Sequence, residues 1–106
     1  MNDCCVCLVT VGKPEEAEKI AETLVEERLA ACCNLVPAVR SIYRWEGQIC
    51  RDAETMLVIK TRRENFEKLR ARVKGLHSYT VPEIVALPII AGHAPYLDWI
   101  LQETAP

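Results

Sequence analysis

A chain of 106 residues with a formal net charge of −2, from 13 Lys and Arg against 15 Asp and Glu, has the size of one small domain. This near balance of charge argues against binding to nucleic acid or to an anionic membrane surface, and no apolar run reaches the roughly 18 residues of a membrane span. The N-terminal Met1-Asn2-Asp3 lacks the positive segment of a signal peptide, so we expect a cytoplasmic protein with one domain over residues 1–106.

The first elements of the chain are predicted to be a strand and a helix. Residues 4–11, CCVCLVTV, form a continuous apolar run that ends before Gly12, which is typical of a buried strand. Pro14 suits the first turn of a helix, and apolar residues recur after it at helical spacing. We therefore predict an amphipathic helix over residues 14–30.

The middle of the chain predicts a β-hairpin. Residues 32–45 form an extended segment in which Pro37 marks a bend or a sheet edge, because proline cannot donate a ladder hydrogen bond. Glu46 and Gly47 form a turn signal. Residues 53–61, AETMLVIKT, then predict a strand antiparallel to the one before the turn.

The last part of the chain predicts a helix, a strand and a short final helix. We expect Thr61 or a neighbour to cap the second helix and Gly75 to close it. A strand at 82–90 and a helix at 94–103 follow. The order β-α-β-β-α-β-α predicts an α+β fold, a ferredoxin-like split βαβ sandwich with an antiparallel sheet and an extra C-terminal helix.

The predicted sheet is apolar on both of its faces. Successive side chains of a strand point to opposite faces, yet residues 56–59 are Met-Leu-Val-Ile. The first two helices can cover only one face, and a bare apolar face of this size predicts association with another copy of the chain. The alternative is that the strand bounds are wrong and a third helix covers the second face, although the helix at 94–103 is too short to cover all of it.

Polar residues at the entrance of the last strand predict either a site or a structural contact. A buried Glu83 carboxylate needs a partner, and Lys60 or Arg44 could supply it. Together with His77 and a thiol, Glu83 would form an open divalent-metal site, for which imidazole and thiolate favour copper, zinc and nickel. The alternatives are a structural salt bridge for Glu83 and a hydrogen-bonding loop role for His77.

The remaining candidates are aromatic residues and thiols. Tyr43, Trp45 and Tyr79 combine a large apolar area with a polar tip, which suits packing or the lining of a cleft. The chain shows no export signal, so we expect its six cysteines to be reduced thiols. The three in residues 4–7 are interpreted as buried hydrophobes, with metal or redox chemistry as the alternative. No motif supplies a nucleophile with its base, so we do not expect an enzyme.

Three segments together resemble the CutA family of divalent cation tolerance proteins: ERLAACCNLVPAVRSIYRWEGQI, TMLVIKTR and LHSYTVPEIVALPIIAGHAPYLDWI. The resemblance covers almost the whole chain. It implies a homotrimer similar to PII-type signalling proteins and the binding of divalent metal ions, with copper expected before zinc.

The resemblance also implies roles for individual positions. It implies metal binding by Cys32, His77 and Glu83. The predicted ligand-binding residues of a cleft between subunits are Lys60, Tyr43, Trp45 and Tyr79. The chain departs from the family pattern at Ser78, Thr80 and Cys33, where the family often has proline, an acid and valine.

The expected function is therefore that of a trimeric divalent-cation-tolerance protein that binds copper or another divalent metal. The alternative is a PII-like trimeric regulator that binds a small molecule or a partner protein in the cleft, with Lys60 and Glu83 orienting an anionic or amphoteric ligand. A stable assembly module without a ligand is the third possibility.

Overall fold

The computed structural model describes residues 3–106, which form a four-stranded antiparallel sheet with the order β2-β3-β1-β4 and three α-helices. The strands are β1 (Cys4–Val11), β2 (Cys32–Trp45), β3 (Gln48–Arg62) and β4 (Ile84–Pro88), and the helices are α1 (Pro14–Glu26), α2 (Phe66–Leu76) and α3 (Ala94–Glu103). The predicted ferredoxin-like α+β fold is confirmed. Within residues 3–106 no helix is long and apolar enough to cross a membrane.

The core lies between the sheet and the first two helices. Alternate side chains of β1 point toward α1 and α2 and are almost completely buried, beginning with Cys5 and ending with Val11. The register places Cys7 opposite Ile59 and Val9 opposite Leu57, which continues the same apolar layer into β3. The helices contribute Ile20, Leu24, Leu69 and Val73.

Helix α1 ends four residues before the predicted boundary. Arg28 has a φ of 59°, a left-handed conformation that cannot continue a right-handed helix. The amides of Leu29 and Ala30 instead donate to the Leu24 carbonyl at 2.9 and 3.1 Å. Leu29 and Ala30 still pack on the core from this turn, so the apolar spacing extends beyond the helix itself.

The β2–β3 hairpin is longer than predicted, because β3 begins at Gln48 rather than at residue 53. Glu46 and Gly47 have φ values of 50° and 77°, and positive φ at both central residues matches the strand twist of a tight hairpin. Trp45 therefore pairs directly with Gln48 across the turn.

The prediction of a bend or an edge at Pro37 is confirmed. β2 is an edge strand, and its register against β3 shifts between Val36 and Val39. Ala38, directly after the proline, has a φ of 57°. The irregularity lies where the proline has no amide to donate.

Two predicted ends of α2 are wrong, and β4 is shorter than expected. Thr61 lies in β3 and its hydroxyl donates to the Leu29 carbonyl at 2.6 Å, while α2 begins only after a short 3-10 turn over Arg63–Asn65. Gly75 lies inside α2, which continues to Leu76. β4 covers residues 84–88 of the predicted 82–90.

The sheet face opposite α1 and α2, here called the open face, is apolar. Its half-buried members on the central strands are Val6, Leu8, Met56 and Val58. On β4 it includes Val85 and Leu87, which are 45% and 50% exposed. Helix α3 covers one end of this face. There Ile100 packs with Cys4 and Ala31.

Hydrogen bonds attach the end of α3 to the rest of the fold. The Asn65 amide donates to the Arg28 carbonyl at 3.4 Å and to the Thr104 carbonyl at 3.3 Å. The Arg62 guanidinium donates to the Leu101 carbonyl and to the Thr104 hydroxyl. Asn65 therefore joins the turn after α1 to the residue that follows α3.

All six cysteines are free thiols, and the three in β1 are buried. A hydrogen bond shared with Cys5 raises the pKa of Cys7, and burial raises it further. Burial also raises the pKa of the neighbouring Cys33 to about 12. The thiols of Cys7 and Cys33 therefore stay protonated in the folded chain, as expected of small buried hydrophobes.

The pKa of Cys33 predicts a loss of stability in alkaline solution. Its thiol titrates near 8.5 when unfolded and at about 12 when folded, so its contribution is complete below about pH 8.5 and is lost as the pH rises toward 12. Each pKa unit corresponds to about 1.4 kcal/mol, and partial exposure of the thiol lowers the total to roughly 1–3 kcal/mol.

Cys33→Val should therefore reduce the decline of the unfolding free energy between pH 8 and 11, by at most roughly 1–3 kcal/mol. Urea unfolding in the presence of a reductant, at one protein concentration, measures this slope. Cys50→Val, on the hairpin outside the core, is the control. Equal slopes for the wild type and Cys33→Val would contradict the prediction.

Candidate functional site

An open cleft of about 890 Å³ lies between the β2–β3 hairpin and the segment 78–83. Four of the predicted site residues line it: Tyr43, Trp45, Tyr79 and Glu83. Asp52 and Glu54 of β3 also line it, together with Thr10, Gly12 and Lys13 near the end of β1. The cleft thus combines aromatic walls with several ionisable groups.

The alternation of the hairpin strands brings one set of side chains to the cleft. Tyr43 pairs with Cys50 and Ser41 pairs with Asp52, so these residues share a face of the β2–β3 ladder. Glu54 lies two residues beyond Asp52 on that face, which is the continuation of the open face. The cleft therefore lies at the hairpin end of the open face, while α3 lies at the other end.

Two tyrosines donate hydrogen bonds to carboxylates in the cleft. The Tyr79 hydroxyl donates to Glu54 Oε2 at 2.8 Å, and Glu54 is only 6% exposed. Burial, and then this bond, raise the pKa of Tyr79 above its usual range. The Tyr43 hydroxyl donates to Asp52 Oδ2, which raises the pKa of Tyr43 to about 12. Both phenols are therefore neutral donors near pH 7 and not tyrosinate nucleophiles.

His77 lies behind Tyr79 and has a partner for each ring nitrogen. The Tyr79 amide donates to Nδ1 at 3.0 Å, so the ring proton is on Nε2, which lies 2.7 Å from the Thr10 carbonyl oxygen. The side chain is completely buried, and its ring centroid is 4.7 Å from that of Tyr79. These contacts match the hydrogen-bonding alternative for His77, whereas its role as a metal ligand stays a prediction.

The structure places Glu83 differently from the sequence prediction of a buried, paired carboxylate. β4 begins only at Ile84, so Glu83 belongs to the preceding segment and is exposed at the cleft. Within residues 3–106 it forms no ion pair with Lys60 or Arg44. An exposed carboxylate needs no such partner, because water solvates it.

Lys60 and Cys32 lie outside the cleft. They face each other across the β2–β3 register, and Lys60 donates to the Asn34 side-chain oxygen. Lys60 is six residues from Glu54 along β3, a distance of about 20 Å at roughly 3.3 Å per residue. Lys60 therefore does not reach the three aromatic residues of its own chain, and its role as a ligand-binding residue of a cleft between subunits stays a prediction.

The predicted metal ligands are likewise separated within one chain. No group of three or more His, Cys, Asp or Glu side chains among residues 3–106 is arranged to hold a metal ion. His77 and Glu83 lie near the cleft, whereas Cys32 lies beside Lys60. A site that uses all three side chains needs ligands from more than one chain, and it stays a prediction.

Asp52 and Glu54 are acidic cleft residues that were not predicted from the sequence. The signal for Glu54 was the same one that singled out Glu83, an acid at the start of an apolar strand. Glu54 lies two and four residues before Met56 and Val58 in AETMLVIKT, so all three side chains point to the open face.

Comparison with known proteins identifies the family. The family model described as "CutA1 divalent ion tolerance protein" matches residues 5–103. The chain belongs to the CutA family. The divalent-cation tolerance protein CutA of Thermus thermophilus is 57% identical over 99 residues, which cover 93% of this chain and 96% of that protein.

Other comparisons with CutA proteins show the extent of the similarity. A solved CutA structure from Thermus thermophilus has a TM-score of 0.94 at 55% identity, and the match covers 96% of this chain and 99% of that one. The chloroplastic CutA of Arabidopsis thaliana is 46% identical over 93% of this chain, which spans only 54% of the plant protein. Because that CutA is named chloroplastic, a cytoplasmic location stays a prediction for this chain. The absence of enzyme activity also stays a prediction.

Gly12 makes room for Tyr79 in this member of the CutA family. A Cβ atom at Gly12 would lie 2.7 Å from the Tyr79 hydroxyl oxygen. Gly12→Ala should therefore displace the phenol from Glu54 and lower the unfolding free energy by about 1–3 kcal/mol, because a nearly buried carboxylate loses its donor. Chemical unfolding at one fixed protein concentration measures this change.

Gly75→Ala is the matched control for this substitution. Nothing lies within 4 Å of an added Cβ atom at Gly75, which is inside α2, so alanine should raise stability by about 0.5–1 kcal/mol. If Gly12→Ala were as stable as the wild type, the close fit of Tyr79 against Gly12 would be wrong.

Proposed function

We propose that this protein acts in divalent-cation tolerance as a homotrimer that binds a divalent metal ion, copper before zinc, at clefts between its subunits. The observation that carries the proposal is the net negative charge of the cleft. Its lining contains the three acidic residues Asp52, Glu54 and Glu83 and one basic residue, Lys13. A concave surface of one net charge concentrates ions of the opposite charge. Membership of the CutA family supports the same conclusion.

The type of metal depends on donors beyond these carboxylates. Carboxylate oxygens alone suit magnesium and calcium, whereas copper and zinc favour imidazole and thiolate. The half-buried Cys32 is too far along the strands to reach the cleft of its own chain. The proposal therefore requires an assembly in which a neighbouring chain supplies a soft donor such as Cys32.

The open face supports the assembly. Its apolar side chains continue across all four strands, and the exposed members Val36, Val85 and Leu87 would form a large apolar surface in an isolated chain. Ile42 and Ile49 lie on the opposite face of the hairpin and add exposed apolar area there, with exposed fractions of 65% and 56%. The number three comes from the resemblance, and a closed trimer gives every chain the same contacts.

The assembly predicts a solution mass of roughly 36 kDa, three times the chain mass of 12.0 kDa. Sedimentation velocity at micromolar concentration measures it. Val85→Lys should shift the protein toward the monomer, because it places a charge on the covered face. Val25→Lys is the control, since Val25 has a similar exposure of 44% but lies on α1. A folded wild-type monomer of 12.0 kDa would contradict the proposal.

A second candidate function follows from the size and lining of the cleft. A volume of about 890 Å³ lies within the range of small-molecule sites, and Tyr43, Trp45 and Tyr79 offer aromatic walls. Because carboxylates predominate among the lining residues of one chain, the lining favours a ligand with a positive group over an anionic one. An organic amine could stack on Trp45 while it contacts a carboxylate. Such a PII-like regulator is the alternative proposal.

One titration series separates the two candidates. Zn²⁺, Cu²⁺ and a panel of organic amines with neutral analogues are added to the wild type, with binding followed by calorimetry. We expect saturable metal binding, and about a tenfold or greater loss of affinity in Glu83→Gln because a charged contact is removed. Glu18→Gln, an exposed acid on α1, should bind as the wild type does.

Each outcome of this series decides between the proposals. Binding of amines without metals would favour the regulator and contradict the metal proposal. If neither class binds to the trimer, both proposals are wrong.

A further inference from the structure

A continuous set of hydrogen bonds runs from β1 to the cleft. It passes from the Thr10 carbonyl to His77 Nε2, from His77 Nδ1 to the Tyr79 amide, and from the Tyr79 hydroxyl to Glu54 Oε2, over distances of 2.7, 3.0 and 2.8 Å. We propose that His77 is a positioning residue, which sets Tyr79 and thereby Glu54 in the cleft and does not itself contact the bound cation. This inference rests on the proposed function in so far as the cleft binds a cation.

The imidazole of His77 lies beyond the point where the pairing of β1 with β4 ends. β4 pairs with β1 only as far as Val9, so Thr10 has no partner in β4. His77 follows the last residue of α2 in an extended conformation, and its ring reaches the Thr10 carbonyl from there. A buried carbonyl and the Tyr79 amide would both lose a partner without this ring. One side chain therefore joins the end of β1 to the segment that follows α2.

Helix α1 holds the same segment from its other side. Glu16 Oε2 accepts hydrogen bonds from the Ser78 amide at 3.1 Å and from the Ser78 hydroxyl at 3.0 Å. The same oxygen lies 3.7 Å from His77 Nδ1. Contacts from β1 and from α1 thus restrict residues 77–79.

This arrangement ends on a carboxylate that faces the cleft. Glu54 is only 6% exposed as a residue, and its hydrogen bond with the Tyr79 hydroxyl uses Oε2. The Tyr79 hydroxyl fits closely against Gly12, where an added Cβ atom would lie 2.7 Å from its oxygen. A change at His77 therefore reaches the cleft through Tyr79, and the cation meets Glu54 and Tyr79 rather than the imidazole.

Nitrogen NMR of the histidine rings tests the proposal on the intact wild-type assembly. Without a cation we expect His77 to be the neutral tautomer with its proton on Nε2. Addition of diamagnetic Zn²⁺ should leave the His77 ring nitrogen signals in place while calorimetry records binding. Loss of the Nδ1 hydrogen bond, or a shift of either ring nitrogen to that of a metal-bound imidazole, would overturn the proposal.

Three substitutions separate positioning from ligation. His77→Asn keeps an acceptor near the position of Nδ1, His77→Gln keeps a donor near that of Nε2, and His77→Ala keeps neither. We expect His77→Ala to lower Zn²⁺ affinity about 10–100-fold, as the loss of an outer-shell partner does, and at least one amide variant to recover most of it. Equal losses in all three variants would overturn the proposal. His93→Ala, at the other histidine of the chain, is the control.

The inference and the proposed function fail in different ways. If the wild type binds no cation, the proposed function fails, and the Tyr79 amide and ring resonances of His77→Ala still test the inference. A large shift of both Tyr79 signals relative to the wild type supports the positioning role. Unchanged Tyr79 signals in a folded His77→Ala assembly overturn it.

Discussion

The central strands β1 and β3 carry apolar side chains on both faces, and the rest of the structure depends on this constraint. Helices α1 and α2 cover one face, and α3 covers only one end of the other. The hairpin end of the open face is where Tyr79, Glu54 and the aromatic residues border the cleft. The apolar open face and the polar cleft are therefore parts of the same surface.

Polar groups cluster where the regular strand pairing stops. β4 is short, so the end of β1 and the segment 77–83 meet without a ladder between them. Side chains form the hydrogen bonds there: His77 Nε2 bonds to the Thr10 carbonyl, and the Tyr79 hydroxyl donates to the Glu54 carboxylate. The identities of these residues are constrained by folding as well as by any ligand, because an unpaired buried group costs about 1–3 kcal/mol.

The spacing of apolar residues predicted the element order, the ferredoxin-like sheet and the open face. Buried positions recur at every second residue of a strand and at every third to fourth residue of a helix. This spacing did not predict the end of α1, since the left-handed conformation of Arg28 has no marker in a non-glycine residue. Tyr43, Trp45, Tyr79 and Glu83 line one cleft, while their role in binding stays a prediction. The distance of Lys60 from this cleft in its own chain was not predictable, because the sequence does not say which end of a long strand meets a given loop.

The side-chain amide of Asn65 couples two parts of the structure that are distant in sequence. One side chain bonds both to the turn after α1 and to the residue after α3, and it becomes buried only when those two parts are present. Displacement of either part would therefore expose this amide and weaken the attachment of the other, so the two ends of the fold are thermodynamically coupled through one side chain.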